Sequence, residues 1–174
     1  MKKKKKKLLS GYKLKSVGKF LLVILFIYLL NLLHLRLDKS EISPAANTVK
    51  YKVRYLYNYD GDTAVFRDEE GNEIVCRFLA VDSPEIGEPG YDEAKSFTDS
   101  ILRNAFSITL ELDPRSEDVD KFGRLLAWVW ADNKLVQAKL VEKELVNIDY
   151  PFGNYMYTDY LYRIAGQKNV TGGQ

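Results

Sequence analysis

The stretch that decides the fold runs from Val49 to Val81, VKYKVRYLYNYDGDTAVFRDEEGNEIVCRFLAV. Its first eleven residues, to Tyr59, alternate apolar or aromatic side chains with Lys, Arg and Asn, the period-two pattern of a half-buried strand. TAVFRD and IVCRFLAV read as two further strands, joined through EEGNE as a hairpin by the Gly71-Asn72 turn signal. Three strands in succession, separated only by turns, imply a curled antiparallel sheet.

Downstream, Ala94, Phe97, Ile101 and Leu102 recur at helical spacing, SITLEL reads as a strand, and LLAWVWAD reads as another strand ending in an Asp-Asn turn. A helix follows through Leu135, Ala138, Lys139 and Val141. A last amphipathic stretch puts Tyr157, Tyr160, Leu161 and Ile164 on one face, with Gly166 as its stop. The order βββ-α-ββ-α-α predicts an α+β, mainly β, fold: a five-stranded barrel of the OB type with about three helices, preceded by an N-terminal apolar helix. No internal repeat is visible.

With 174 residues, 46% hydrophobic and 29% charged, the chain is long enough for one globular domain and an appendage. The net charge of +2 hides an asymmetry. Residues 1–47 hold 11 Lys/Arg against 2 Asp/Glu, leaving 15 against 22 beyond them, so the head is +9 and the body −7. An acidic body is not that of a general polyanion binder, and attraction to phosphate must be local. Cys76 is the single cysteine, which excludes an intramolecular disulfide and a thiolate zinc cluster. His34 is the single histidine and lies in the N-terminal apolar run. Mechanisms that use histidine as base, nucleophile or metal ligand in the body are therefore excluded.

Lys2 to Lys7, with Lys13, Lys15 and Lys19, precede FLLVILFIYLLNLLHL, Phe20 to Leu35. This is the pattern of an export signal or a membrane anchor. Its 16 residues exceed a signal-peptide core of roughly 7 to 15 and fall short of the roughly 20 of a spanning helix. Lysine flanks stay cytoplasmic, which predicts the body outside, either on a retained single-pass anchor or secreted after cleavage near Ala45. The expected organisation is a Lys-rich flank at 1–19, an apolar segment at 20–37, a linker at 38–48, a folded domain at 49–168 and a disordered tail at 169–174.

Three clusters carry charge where a fold does not ask for it. Asp60-Gly61-Asp62-Thr63 lies between two strands and, by itself, is also an ordinary Asp-Gly turn. Arg77 sits inside an apolar strand, and Asp82 and Glu85 flank a Ser-Pro turn at its end. Asp120-Lys121-Phe122-Gly123-Arg124 delivers a second arginine ahead of a strand. Paired carboxylates suit a hard cation such as calcium, two guanidinium forks suit charge growing on phosphorus, and a remaining carboxylate can take a proton from water. That set fits phosphodiester hydrolysis without histidine.

DGDT, RFLAVDSPE and DKFGR, in this order and at these separations, resemble the three signature segments of the staphylococcal nuclease family. The similarity runs from about Tyr51 to Ile164 and includes YDEAKSF and LVEKELVNIDYPF. The resemblance implies a calcium-dependent, sugar-non-specific nuclease acting on DNA and RNA and leaving 3'-phosphates. By the same resemblance Asp62 and Asp82 would be Ca2+ ligands, with Ser83 adding its backbone carbonyl. Arg77 and Arg124 would bind phosphate, and Glu85 would act as general base or orient water. Lys121, Phe122, Tyr150 and Phe152 would contact substrate, and a monomer is expected. Ser83, Phe122 and Phe152 depart from the residues usual at those positions, and Glu88 makes the loop from Ile86 to Gly90 acidic. Two other readings compete: an inactive OB barrel that binds nucleic acid or protein, and a membrane-tethered structural module.

Overall fold

The computed structural model describes residues 19, 21–29, 42–148 and 155–166. The chain divides into two compact units, Met1–Glu41 and Ile42–Gln174. In the first, residues 21–29 form a helix, α1, with every side chain exposed. Among the described residues, no helix is long and apolar enough to cross a membrane. The remainder of the apolar segment expected at 20–37 and the tail at 169–174 lie outside the described residues.

The second unit holds β1 (Lys50–Asn58), β2 (Thr63–Asp68), β3 (Glu73–Phe78), β4 (Val81–Asp82), α2 (Tyr91–Arg103), β5 (Ile108–Glu111) and β6 (Leu125–Ala131). It continues with β7 (Lys134–Leu135), α3 (Val136–Glu142), β8 (Asn147–Ile148) and α4 (Thr158–Ile164). Antiparallel pairing runs β3-β2-β1-β5-β6, and a parallel β3–β6 pairing joins the two ends. The five strands therefore close into a barrel with no free barrel edge, the expected α+β architecture of the OB type. Phe66, Cys76, Phe78, Leu110 and Val129 are buried at 0–1% exposure and form part of the core. A second layer on the outside of β6 buries Trp128 and Trp130 under the edge-on ring of Tyr157. Gln137 on α3 accepts from Val129 N–H and donates to Ala127 C=O, so a side chain pairs with the backbone of β6.

One local departure from the sequence reading matters for the site. IVCRFLAV is not one strand. β3 stops at Phe78, Ala80 adopts a left-handed φ of 63°, and Val81–Asp82 leaves the barrel to pair with Asn147–Ile148. A non-glycine residue in that conformation cannot continue a pleated strand, so the chain turns there. The expected Asp132-Asn133 turn has positive φ at both residues, 50° and 59°, and folds a short hairpin, β6–β7, at the end of β6.

Ahead of β1, residues 42–48 lie against the barrel. The fully buried Glu111 carboxylate accepts from Ala45 N–H (2.8 Å), Thr48 Oγ1, Trp130 Nε1 (2.7 Å) and Tyr157 Oη (3.1 Å). A buried carboxylate is tolerable only with such donors, so this one fastens the incoming chain and the α4 end to the same point.

Candidate active site

Asp62 is positioned by the turn between β1 and β2. Asp60 Oδ1 accepts from the backbone N–H groups of Asp62 (3.0 Å) and Thr63 (2.7 Å), and Asn58 Nδ2 donates to Asp60 C=O (2.7 Å) and Lys95 C=O (2.9 Å). A Cβ at Gly61 would lie 2.8 Å from both Ala94 Cβ and Ser83 Cβ. Only glycine lets this turn press between α2 and the Ser83 segment. Thr98 Oγ1 donates to Gly61 C=O (2.6 Å), and Phe78 N–H donates to Asp62 C=O (2.8 Å), which fixes the turn from two sides.

Arg77 on β3 pairs with Thr63 of β2 on one side and Leu126 of β6 on the other. Its Nη1 lies 2.9 Å from Asp62 Oδ1, and its Nη2 lies 2.8 Å from Asp82 Oδ1. Nη1 also donates to the carbonyls of Val81 (2.6 Å) and Phe78 (3.2 Å). A single guanidinium thus draws two carboxylates from different loops to one point. The Ala80 turn makes this possible, because it brings Val81 and Asp82 back over the end of β3. Ser83 N–H donates to Asp62 Oδ2, and Thr63 Oγ1 donates to Asp62 Oδ1 (3.0 Å).

Asp62 is only 3% exposed, whereas the Asp82 side chain is open to solvent. Burial pushes the Asp62 carboxyl up to about 6; Arg77 and Ser83 N–H oppose that shift and Asp60 adds to it. The result is a buried acid whose charge the protein alone does not fully compensate.

Glu85 follows on the same segment and is exposed. Its backbone N–H donates to Glu88 Oε2 (2.8 Å), while its own carboxylate has no hydrogen-bond partner among the described residues. Arg124 is delivered by a stapled loop. Asp120 Oδ1 accepts from the N–H groups of Phe122 and Arg124, both at 2.9 Å, and Asp120 Oδ2 accepts from Arg124 Nε at 2.7 Å. Partial burial raises the Asp120 carboxyl, but these Arg124 and Phe122 donors outweigh it and hold the group below the usual carboxylate range. Phe122 stands out into solvent with Lys121 Nζ 5.0 Å and the Arg124 guanidinium 5.5 Å from its ring centre.

The structure brings Asp62, Arg77, Asp82 and Ser83 into direct contact. Barrel closure sets Arg124 nearby, because Leu125 pairs with Cys76, the neighbour of Arg77. Among the described residues, neither Glu85 nor Arg124 makes a hydrogen bond or ion pair with that group. Lys121 and Phe122 share the Arg124 loop, and Tyr150 and Phe152 lie outside the described residues. Sequence reasoning assigned no role to Asp60 or Asp120, which position Asp62 and Arg124. The signal was present in each case: an Asp opening a tight Gly-containing turn, with backbone N–H groups two to four residues on for its carboxylate to accept.

Comparison with known proteins identifies the family. Residues 75–162 match the family model described as staphylococcal nuclease homologue. The chain is 32% identical over 127 residues to the thermonuclease of Staphylococcus hyicus, covering 70% of this chain and 72% of that protein. It is 36% identical over 106 residues to the SPbeta prophage-derived endonuclease YokF and to the endonuclease YncB of Bacillus subtilis. Those matches cover 58% of this chain and 35% and 49% of the two relatives, so the chain spans half or less of each. The fold, the motif geometry and these relatives together place the chain in the staphylococcal nuclease family, as a nuclease.

Proposed function

We propose that this nuclease is a calcium-dependent, sugar-non-specific phosphodiesterase that cleaves DNA and RNA to 3'-phosphate products, acting as a monomer. The observation that carries the reading is the convergence of Asp62 and Asp82 on the Arg77 fork, with Asp62 buried and its carboxyl raised. Among the described residues, no three acidic, imidazole or thiol side chains form a ready-made metal cage. The donors fit calcium in kind: two carboxylates that already share one cationic partner, together with the Ser83 carbonyl, form a hard-oxygen set. When bound, the ion would supply positive charge for a phosphate oxygen and for the attacking water. In the rest of the mechanism, Arg77 and Arg124 bind and neutralise the equatorial phosphate oxygens as charge grows there. Glu85, three residues beyond Asp82 and with a carboxylate that has no hydrogen-bond partner among the described residues, receives the proton of the attacking water. Phe122, flanked by two cations, offers a face on which a base can stack.

The N-terminal lysines and apolar run support a membrane location with the catalytic unit outside. Retention is supported over cleavage near Ala45 by the Glu111 network. Losing the residues up to Ala45 would remove the Ala45 N–H donor from a buried carboxylate. The mass of the protein recovered from membranes and from the medium distinguishes the two fates.

The decisive assay incubates the purified chain with single-stranded DNA and with RNA, in calcium or in a calcium chelator. Cleavage of both polymers in calcium alone is expected, with 3'-phosphate ends. Equal cleavage in chelator, or equal cleavage by the Arg77→Ala protein, would refute the reading.

A further inference from the structure

Phe106 is 99% exposed, more than any other large apolar side chain of the described residues. It is not loosely held: the N–H groups of Phe106 and Ser107 donate to Asp132 Oδ1 at 3.0 and 2.9 Å, which fixes the turn between α2 and β5. A ring presented this way adds nothing to the core. Beside it lies a groove of about 230 Å³ with an apolar floor of Val53, Leu102 and Ile108 and with Arg54 and Arg103 on its rim.

The two arginines differ. Arg103 is bound to Asp99 by two contacts, 3.0 and 2.6 Å, and its guanidinium lies 5.6 Å from the Tyr55 ring centre. Arg54 has no ion-pair partner among the described residues, and it stands directly opposite Arg67 in the β1–β2 register. Like charges opposite each other disfavour a strand pair. Arg67 is relieved by Glu73 at 2.7 Å, whereas Arg54 is not. A cation with no ion-pair partner among the described residues, at a groove in a body that is −7 overall, supplies a local attraction for a polyanion. Arg54 also borders a second groove lined by Lys52 and Arg67 and by Asp68 and Glu69, so the strip of cations that continues along β1 is interleaved with two carboxylates.

We propose that Phe106, Arg54 and Arg103 form a second binding site for single-stranded nucleic acid, in which a base stacks on Phe106 and phosphate oxygens engage the two guanidinium groups. The identity of the strand rests on the nuclease reading above. Arg67, opposite Arg54, is five residues from Asp62 along β2, roughly 17 Å at the strand rise of about 3.3 Å per residue. The site therefore holds a part of the strand several nucleotides away from the bond being cut, within the roughly 4 to 16 nucleotides that one OB fold covers. It acts on long substrates and leaves short ones unaffected.

The test uses the full chain and its Phe106→Ala and Arg54→Gln variants. Binding of a labelled single-stranded oligonucleotide of about 20 nucleotides is followed by fluorescence anisotropy in chelator, over a range of salt. Cleavage in calcium is compared between that oligonucleotide and one of about three nucleotides. Phe106→Ala is expected to weaken binding of the long strand about tenfold, the scale of one lost base stack. Arg54→Gln is expected to reduce the slope of log affinity against log salt by about 0.7, one lost phosphate contact. Both variants should cut the short substrate as the parent does. Because both side chains are exposed, neither change removes core packing. Unchanged affinity and slope would overturn the proposal, as would an equal loss on the short substrate. Loss of binding to phosphatidylglycerol vesicles with oligonucleotide binding intact would also overturn it, and would make the strip a membrane contact. If the parent binds the long strand but cuts neither substrate, the nuclease reading fails, and the binding arm still decides the second site.

Discussion

Asp62 gives the sharpest quantitative prediction. Its carboxyl is raised from 3.8 to about 6 because burial disfavours the charged form more than Arg77 and Ser83 N–H favour it. A raised acid binds its proton more tightly in the folded state than in the unfolded one. The protonated group therefore favours folding at low pH. Stability contributed by this site is lost as pH rises from about 4 through about 6 and is constant above. A difference of about 2 pH units at about 1.4 kcal/mol each gives about 3 kcal/mol over the whole window. Asp62→Asn removes that titration. It also places an amide N–H₂ against either Arg77 or Ser83 N–H, a donor conflict that lowers stability by an amount independent of pH. The quantity to read is therefore the change with pH in the stability difference between the two proteins. Urea unfolding in chelator at pH 4 and pH 7.5 measures it, and the parent should lose 2 to 3 kcal/mol relative to Asp62→Asn, about 0.6 kcal/mol having gone below pH 4. Calcium at pH 7.5 should restore stability to the parent and not to the variant. A stability difference that stays flat within about 0.5 kcal/mol, or that moves the other way, would refute the account of Asp62 as an under-compensated buried charge.

Three further outcomes are expected. Gly61→Ala forces a methyl to within 2.8 Å of Ala94 and Ser83, so thermal or urea unfolding should show a loss of about 1 to 3 kcal/mol with a drop in kcat as Asp62 moves. Asp120→Ala removes three hydrogen bonds from the Arg124 loop; kcat should fall by about 10²-fold or more if Arg124 acts on the transition state, while far-UV circular dichroism stays native. Glu111→Leu strands the Trp130 Nε1–H donor and removes one acceptor each from Ala45 N–H and Tyr157 O–H; a loss of about 3 to 5 kcal/mol in urea unfolding is expected, and a loss below about 1 kcal/mol would show that the network does not fasten residues 42–48.

The sequence alone determined the strand order, because the period-two alternation from Val49 to Tyr59, the Gly71-Asn72 turn and the apolar LLAWVWA run are local signals set by backbone geometry. It also determined which charged residues needed explaining. Arg77 within an apolar strand, and carboxylates at strand ends, are costly unless something uses them. Only the tertiary structure decided how those charges meet. The left-handed Ala80 has no signature in composition, yet it turns Asp82 back onto Arg77. Parallel pairing of β3 with β6 joins residues nearly fifty positions apart and carries Arg124 beside the same strand. The −7 charge of the body is a sum, and a sum does not say that Arg54 faces Arg67 with no ion-pair partner among the described residues, on the groove that Phe106 lines. Residue type and local period are properties of neighbours along the chain, whereas burial, charge compensation and the height of the Asp62 carboxyl pKa depend on neighbours in space, which exist only once the barrel has closed.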